Sequence, residues 1–204
     1  MTATSVQVNS TGGTRMAANS YTEGGVTVLD EKTINGEQYL PYYAAGSSSG
    51  ALLTTANDHQ LQLMAGASLN LYVRRILVYQ VVLATTAAIG LFAVVRLSTA
   101  GTGGTALTPV ALDTTDSASG ATAMAMPTAK GTEGNRVWIG SAGLMQTAPT
   151  AGASTLLFDI NFDQLRGKAL RVPAGTANGI AFKNLAAFPA ASVYVNMWFT
   201  EASF

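Results

Sequence analysis

The sequence predicts an all-β protein, and three observations support this prediction. Short runs rich in β-branched and aromatic residues alternate apolar with polar side chains, as strands with one buried face do. Turns containing Gly, Pro or Asn separate these runs at regular intervals, which is typical of a β-sandwich or barrel. Neither a long helical pattern nor a fixed internal period, as in a solenoid or propeller, is visible in the sequence.

The longest apolar stretch, residues 69–98, allows two interpretations. A membrane helix from about residue 76 to residue 95 would supply the roughly twenty apolar residues that a bilayer span requires. Two long strands joined at residues 84–88 would account for the same stretch. The segment is rich in Val, Ile, Tyr and Phe, which favours strands, and Gln80 would lie unpaired near the middle of the helix. We therefore expect a buried pair of strands and keep the membrane helix as the alternative.

The other predicted strands are shorter. They cover residues 60–65, 105–112 (with Pro109 at an edge or bulge), 136–139, 155–160, 169–172, 179–182 and 192–200. Residues 121–126 fit either a strand or a turn, 141–152 an irregular connector, and 163–168 one helical turn. Residues 1–50 are low in complexity and predict an extended N-terminal arm with one short strand at 25–29. The predicted domains are therefore the arm, 1–50, and a β-sandwich, 51–204.

The charge balance limits the classes of partner. Charged residues make up only 11% of the chain, and 11 Lys+Arg balance 11 Asp+Glu. We expect no nucleic acid and no membrane as partners, because such a chain has no broad electrostatic attraction for phosphate or anionic lipid. So few charges also favour a surface covered in an assembly, although a monomer coated with Ser and Thr is the alternative. There is no cysteine, which excludes disulfides and thiolate chemistry, and the first 25 residues lack the apolar core of a signal peptide.

The candidate catalytic and metal-binding motifs are weak. His59 is the only histidine, and its neighbour Asp58 would point to the opposite face of a strand, so a Ser–His–Asp arrangement is not expected. One histidine without cysteine gives too few ligands for zinc. Asp159, Asn161 and Asp163 resemble the start of a calcium-binding EF-hand loop. In that pattern, however, a Gln and a Leu replace the obligatory Gly and Glu. We predict no catalytic residue, no cofactor and no metal, and therefore no enzyme.

Two other groups of residues invite a functional interpretation. The aromatic residues at strand positions are capable of stacking on sugar rings, although a place in the core or at a subunit interface is the expectation. They are Trp138, Trp198, Tyr72, Tyr79 and Tyr194. Two arginines, Arg74 and Arg75, lie within an apolar strand and need partners there. The candidates are Asp159, Asp163 and Glu201, and we expect an ion pair at an interface. Asp113 and Asp116, in the run LDTTD, suit a turn.

Three stretches of the C-terminal half carry a resemblance: the run RGKALRVPAGTANGIA at residues 166–181, the final strand at 193–201 and GGTALTPV at 103–110. The first two resemble the end of jelly-roll domains in virion proteins of tailed bacteriophages, and the third resembles segments of phage structural proteins. The resemblance covers about residues 51–204 and leaves the arm unmatched. It implies a jelly-roll-like β-sandwich with an extended N-terminal arm, and a role as a capsid decoration (cement) protein or head fibre, typically trimeric.

From this resemblance we expect a structural virion protein on the capsid surface. It would form a homotrimer and contact the major capsid protein, with the arm lying over neighbouring subunits. Deletion of the residues before Ala51 would then leave a folded domain that no longer binds capsids. The alternative is a lectin-like, glycan-binding module of a phage or cell-surface appendage. Such a module needs an exposed aromatic residue beside acidic or amide side chains in a loop pocket.

Overall fold

The computed structural model describes residues 4–8, 16–23, 26–32, 40–47, 51–146, 155–166, 168–188 and 191–203. The chain divides into two compact units, Met1–Leu40 and Pro41–Phe204. The first unit contains an antiparallel sheet of three strands in sequential order: β1 (Thr4–Val8), β2 (Met16–Glu23) and β3 (Val26–Lys32). The sequence predicted an extended arm with one short strand at residues 25–29. Strand β3 covers four of these five residues.

The boundary between the units lies about ten residues earlier than the sequence predicted. The residues that follow it form β4 (Tyr42–Gly46) and β5 (Ala51–Leu52), which both pair with the last strand of the chain. Tyr43 and Ala45 are buried in the main core. Residues 41–46 are therefore part of the sandwich and not of the N-terminal unit.

The remaining elements of the second unit are mostly strands. They are β6 (His59–Met64), β7 (Asn70–Val82), β8 (Ala88–Leu97), β9 (Thr105–Leu107), β10 (Val110–Ala111), β11 (Thr122–Ala125), β12 (Glu133–Leu144), β13 (Leu156–Asn161), α1 (Phe162–Arg166), β14 (Leu170–Val172), β15 (Gly179–Asn184) and β16 (Ser192–Ala202).

These strands form two antiparallel sheets that pack face to face. The seven-stranded sheet has the order β10-β4-β16-β7-β13, with β14 also on β7 and β5 also on β16. The six-stranded sheet has the order β12-β8-β15-β6-β11-β9. Its strands β12-β8-β15-β6 and the strands β4-β16-β7-β13 of the other sheet are ordered as in a jelly roll, which consists of two Greek keys. The predicted all-β, jelly-roll-like β-sandwich is confirmed.

The long apolar stretch forms two strands, β7 and β8, as predicted. The two are not paired with each other, however, because β7 lies between β16 and β13 while β8 lies between β12 and β15 in the other sheet. In a jelly roll the chain crosses from one sheet to the other between these two strands. The neighbours of β7 and of β8 within each sheet are therefore strands that are distant in the sequence. The alternative of a membrane helix is wrong for this segment. Among the described residues no helix is long and apolar enough to cross a bilayer.

Aromatic side chains from the two sheets fill the centre of the sandwich. Phe92 is 0% exposed and stacks on Phe182 of the neighbouring strand, with 5.5 Å between the ring centroids. Phe158, from the opposite sheet, meets Phe92 edge to face at 5.4 Å, and Phe188 lies 6.3 Å away. The alternation of β8 therefore turns Phe92 and Val94 inward and Ile89 and Leu91 outward.

Strand β12 is the element that the sequence predicted least well. The prediction stopped at residue 139 and made 141–152 irregular, whereas β12 continues to Leu144. Three glycines lower the β-propensity of this strand, and tertiary packing explains one of them. A Cβ atom at Gly140 would collide with the ring of Trp138, so the inner face has room for only one large side chain there. Residues 147–152 of the predicted connector lie outside the described residues.

We expect the substitution Phe92→Ala to lower the free energy of unfolding by about 3–5 kcal/mol, because it leaves a cavity between the sheets. The measurement is urea-induced unfolding followed by circular dichroism. Leu165→Ala is the control, since Leu165 lies on α1 with 60% of its surface exposed and should change stability by less than about 0.5 kcal/mol. Equal losses in the two variants would contradict the assignment of Phe92 to the core.

Candidate functional site

A buried polar network surrounds the only histidine, on the outward face of the six-stranded sheet. A bulge in β6 leaves Gln60 without a Cα partner and brings His59 opposite Lys183 of β15. Lys183 in turn lies opposite Ala93 of β8, which belongs to a second, smaller apolar cluster separate from the main core. The network thus lies on the far side of the sheet from the aromatic core.

The hydrogen bonds of this network fix the state of His59. Its Nε2 donates to Glu133 Oε1 at 3.0 Å, and its Nδ1 accepts from Gln62 Nε2 at 2.5 Å. Lys183 Nζ donates to both carboxylate oxygens of Glu133 at 2.8 Å. Gly101 N donates to Gln62 Oε1 at 2.8 Å. Because the side-chain amide of Gln62 donates to Nδ1, the histidine is neutral and carries its proton on Nε2.

This geometry favours a structural role for His59. The side chain is 0% exposed, and both ring nitrogens are hydrogen-bonded within the protein. A general base must reach a proton on its substrate, directly or through one water molecule, and here neither nitrogen is available. The carboxylate beside the ring is that of Glu133, 74 positions away, and not that of the adjacent Asp58. Spacing in the sequence gave no indication of this partner.

Burial and hydrogen bonding shift the pKa values of the two titrating residues. Burial lowers the pKa of His59, and the hydrogen bond to Glu133 offsets this only in part. For Glu133, burial by itself would raise the pKa, but the hydrogen bonds from Lys183 and His59 outweigh burial and hold the pKa below its usual value. Both shifts favour the same arrangement, a neutral imidazole beside an ionised carboxylate.

The sequence-predicted partners of the two arginines are largely confirmed. Arg75 makes a bidentate pair with Asp159, with Nε–Oδ1 at 2.7 Å and Nη2–Oδ2 at 2.6 Å. Arg74 Nη1 donates to Asp163 Oδ1 at 3.2 Å. Both pairs lie within one chain, so the expected ion pair at a subunit interface is not needed to satisfy these charges. Neither of these two pairs involves Glu201, which accepts a hydrogen bond from Gly120 N instead.

The residues of the calcium-like motif are engaged in these and other contacts. Asp159 and Asp163 bind the arginines, and the Oδ1 of Asn161 accepts from Gln164 N at the start of α1. Within the described residues there is no group of three or more His, Cys, Asp or Glu arranged to hold a metal ion. Asp113 accepts from the backbone and hydroxyl of Thr115, as its predicted role in a turn requires, and these bonds lower the pKa of Asp113.

The aromatic residues proposed for sugar stacking lie on strands rather than in a loop pocket. Trp138 packs edge to face on Phe158 at 5.0 Å, against the main core. The guanidinium of Arg75 lies 5.5 Å from the ring centroid of Trp198, and Tyr42 meets the same ring edge-on at 6.4 Å. Tyr194 lies opposite Tyr79 in the pairing of β16 with β7. Contacts within the chain thus occupy part of each tryptophan.

Three large apolar side chains form an exposed patch on the outward face of the six-stranded sheet. They are Ile89 and Leu91 of β8 and Ile139 of β12, and they are 71%, 43% and 55% exposed. Leu91 lies opposite Ser141 and Ile139 opposite Ala93, so Leu91 and Ile139 are diagonal neighbours on one face. We call these three residues the outer apolar patch. It continues the buried row formed by Ala93 and Val95.

The second unit also contains two open clefts. One, of about 470 Å³, is lined by residues that include Arg96, Arg171 and Pro173, and Arg96 donates to the carbonyl of Arg171 at 2.9 Å. The other, of about 340 Å³, is lined by residues that include Ser68, Gly120 and Glu201. Neither lining includes the histidine, so neither combines His59 with a nucleophile.

Comparison of the chain with protein-family models, curated proteins and solved structures finds no match.

We expect the pKa shift of His59 to make folding sensitive to mild acid. Below about pH 6.5 the unfolded chain takes up a proton that the folded chain resists, so the free energy of unfolding falls as the pH decreases from 7 to 5.5. The free energy of unfolding falls a second time below about pH 4.5, because there the unfolded chain protonates Glu133 more readily than the folded chain does. Urea unfolding at a series of pH values measures both.

The control is His59→Gln, which removes the only histidine of the chain. Whatever the stability of this variant at pH 7, its free energy of unfolding should no longer change between pH 7 and 5.5. It should still fall below about pH 4.5, where Glu133 takes up a proton. Parallel curves for the two proteins between pH 7 and 5.5 would contradict the assigned role of His59.

Proposed function

We propose that this protein is a structural virion protein that decorates or cements a bacteriophage capsid. The observation that carries the proposal is the outer apolar patch on a jelly-roll sandwich. Jelly rolls occur in viral capsid proteins and in lectins, so the fold is consistent with both candidate functions and does not decide between them. The resemblance of residues 166–181 and 103–110 to phage virion proteins supports the first of these.

The outer apolar patch supports self-association. Scattered apolar residues on a surface are common, but three large aliphatic side chains that lie on one face of two paired strands and continue a buried row are characteristic of a contact surface. At about 25 cal/mol per Å² of apolar area, each side chain contributes on the order of 1–2 kcal/mol when a partner covers it. We assign the patch to the contact between copies of the chain in a homotrimer.

The low charge of the chain supports the same role. With 11 positive and 11 negative residues, there is no net repulsion between copies. In the described part of the chain, three of the acidic side chains, Asp159, Asp163 and Glu133, are paired with cations of the same chain. Contacts with a capsid would therefore depend on shape, apolar area and backbone hydrogen bonds more than on charge.

The N-terminal unit supplies a means of attachment. Among the described residues its sheet has three strands, with β1 and β3 at the edges, and edge strands offer backbone groups for pairing. A sheet of so few strands gains stability when it adds a strand or packs against another surface. We assign this unit to contact with the major capsid protein, in place of the extended arm expected from the sequence.

We expect Leu91→Asp and Ile139→Asp to convert the homotrimer to monomers, because each substitution places a charge at the contact between copies. Analytical ultracentrifugation measures the mass, and circular dichroism checks that the sandwich is intact. Leu165→Asp, at an equally exposed apolar position on α1, is the matched control and should leave the mass unchanged. A wild-type protein that remains monomeric at high concentration would disprove this use of the patch.

We expect removal of residues 1–40 to leave a folded sandwich that no longer binds capsids. Removal of residues 1–50 should also destabilise the sandwich, because it deletes β4 with the buried Tyr43. Co-sedimentation with capsids and thermal unfolding distinguish the two effects. Capsid binding by the protein truncated at residue 41 would refute the assignment of the N-terminal unit.

A further inference from the structure

The smaller of the two clefts is lined by a carboxylate, that of Glu201, of which one oxygen has no hydrogen-bond partner in the described part of the chain. Glu201, near the end of β16, is only 5% exposed. Its Oε2 accepts a hydrogen bond from Gly120 N at 3.1 Å. Its Oε1 is buried and has no hydrogen-bond partner in the described part of the chain. A buried carboxylate oxygen without a partner is costly, so each such atom requires an explanation.

The backbone of two glycines lies beside this oxygen. Apart from the chain neighbours of Gly120, a Cβ atom built on Gly120 would lie at ordinary contact distance from two heavy atoms, Glu201 Oε1 at 3.8 Å and Gly66 Cα at 3.9 Å. Gly120 and Gly66 both line the cleft, whose volume is about 340 Å³. Because Oε1 is buried, a ligand atom reaches it only if these two backbone segments move slightly apart, and neither glycine has a side chain that would block the approach.

The chemistry of the lining indicates a cationic hydrogen-bond donor. Glu201 is the only charged residue among those that line the cleft, which otherwise offers hydroxyl groups from Ser68 and Ser117 and the apolar side chain of Leu69. The hydroxyl of Tyr43 already donates to the carbonyl of Ser117. The cleft is thus negative and rich in acceptors.

We propose that this cleft binds a primary ammonium group, with Glu201 Oε1 accepting one of its hydrogen bonds. An ammonium carries three donors and no acceptor, which suits a carboxylate surrounded by hydroxyl and backbone oxygens. A calcium ion is disfavoured, because it takes six to eight oxygen ligands and the lining provides a single carboxylate. The ammonium belongs either to a small amine or to a lysine side chain of another protein.

Nuclear magnetic resonance of the full chain tests this site directly. Because Gly120 N–H donates to the same carboxylate, its amide signal reports on any cation that reaches Oε1. We expect butylammonium and Nα-acetyllysine amide to shift this signal saturably, whereas tetramethylammonium, which has no donor, should not. A stronger response to the lysine derivative would identify a protein side chain as the ligand. A stronger response to butylammonium would identify a small amine.

Two variants and one control separate binding from folding. Glu201→Gln removes the charge with little change of shape, and Gly120→Ala adds a methyl group at ordinary contact distance from Oε1. Each should weaken binding about tenfold or more, as expected for loss of a charge-assisted hydrogen bond. Gly143→Ala, where an added Cβ meets nothing within 4 Å, is the matched control and should bind as the wild type does.

Three results would overturn the proposal. The first is the absence of a saturable shift with either amine. The second is equal binding by the wild type, Glu201→Gln and Gly120→Ala. The third is a response to Ca²⁺ alone, which would make the cleft a metal site.

Discussion

The packing of the two sheets against each other is the interaction on which the rest of the structure depends. Its centre is the contact of Phe92 and Phe182 from one sheet with Phe158 from the other. Sheets that pack face to face must supply large apolar side chains from both inner faces, and the period of two along each strand then decides what lies outside. The inward orientation of Phe92 makes Leu91 and Ile89 face outward, so the same alternation that builds the core also builds the outer apolar patch.

Several polar residues inside the fold are hydrogen-bonded through contacts between distant segments. The amide of Gln80, near the end of β7, donates to the carbonyl of Met145 and accepts from its N–H, which ties the seven-stranded sheet to the segment that follows β12. His59, Glu133 and Lys183 join β6, β12 and β15 in the same way on the outer face. Buried polar groups of this kind add little net stability but fix one arrangement of strands, because any shift in register would leave them unpaired.

The two proposals concern different parts of the second unit and different kinds of interaction. The outer apolar patch is flat and uncharged, and its partner is expected to be another copy of the same chain. The cleft at Glu201 is concave and negative, and its ligand is a cation recognised through hydrogen bonds. The outward face of the six-stranded sheet therefore carries a buried polar network and an exposed apolar patch, and β16 carries a buried carboxylate with one unpaired oxygen.

The sequence by itself determined the all-β class, because β-branched and aromatic alternation is a local property of each strand. It also gave Asp159 and Asp163, together with Glu201, as candidate partners for the two arginines, since cations within an apolar strand need anions, and two of the three candidates are the partners. Only the tertiary structure decided that β7 and β8 belong to opposite sheets, that Glu133 is the partner of His59 and that Glu201 lies beneath Gly120. Each of these depends on which distant strands become neighbours, and local residue preferences do not specify those neighbours.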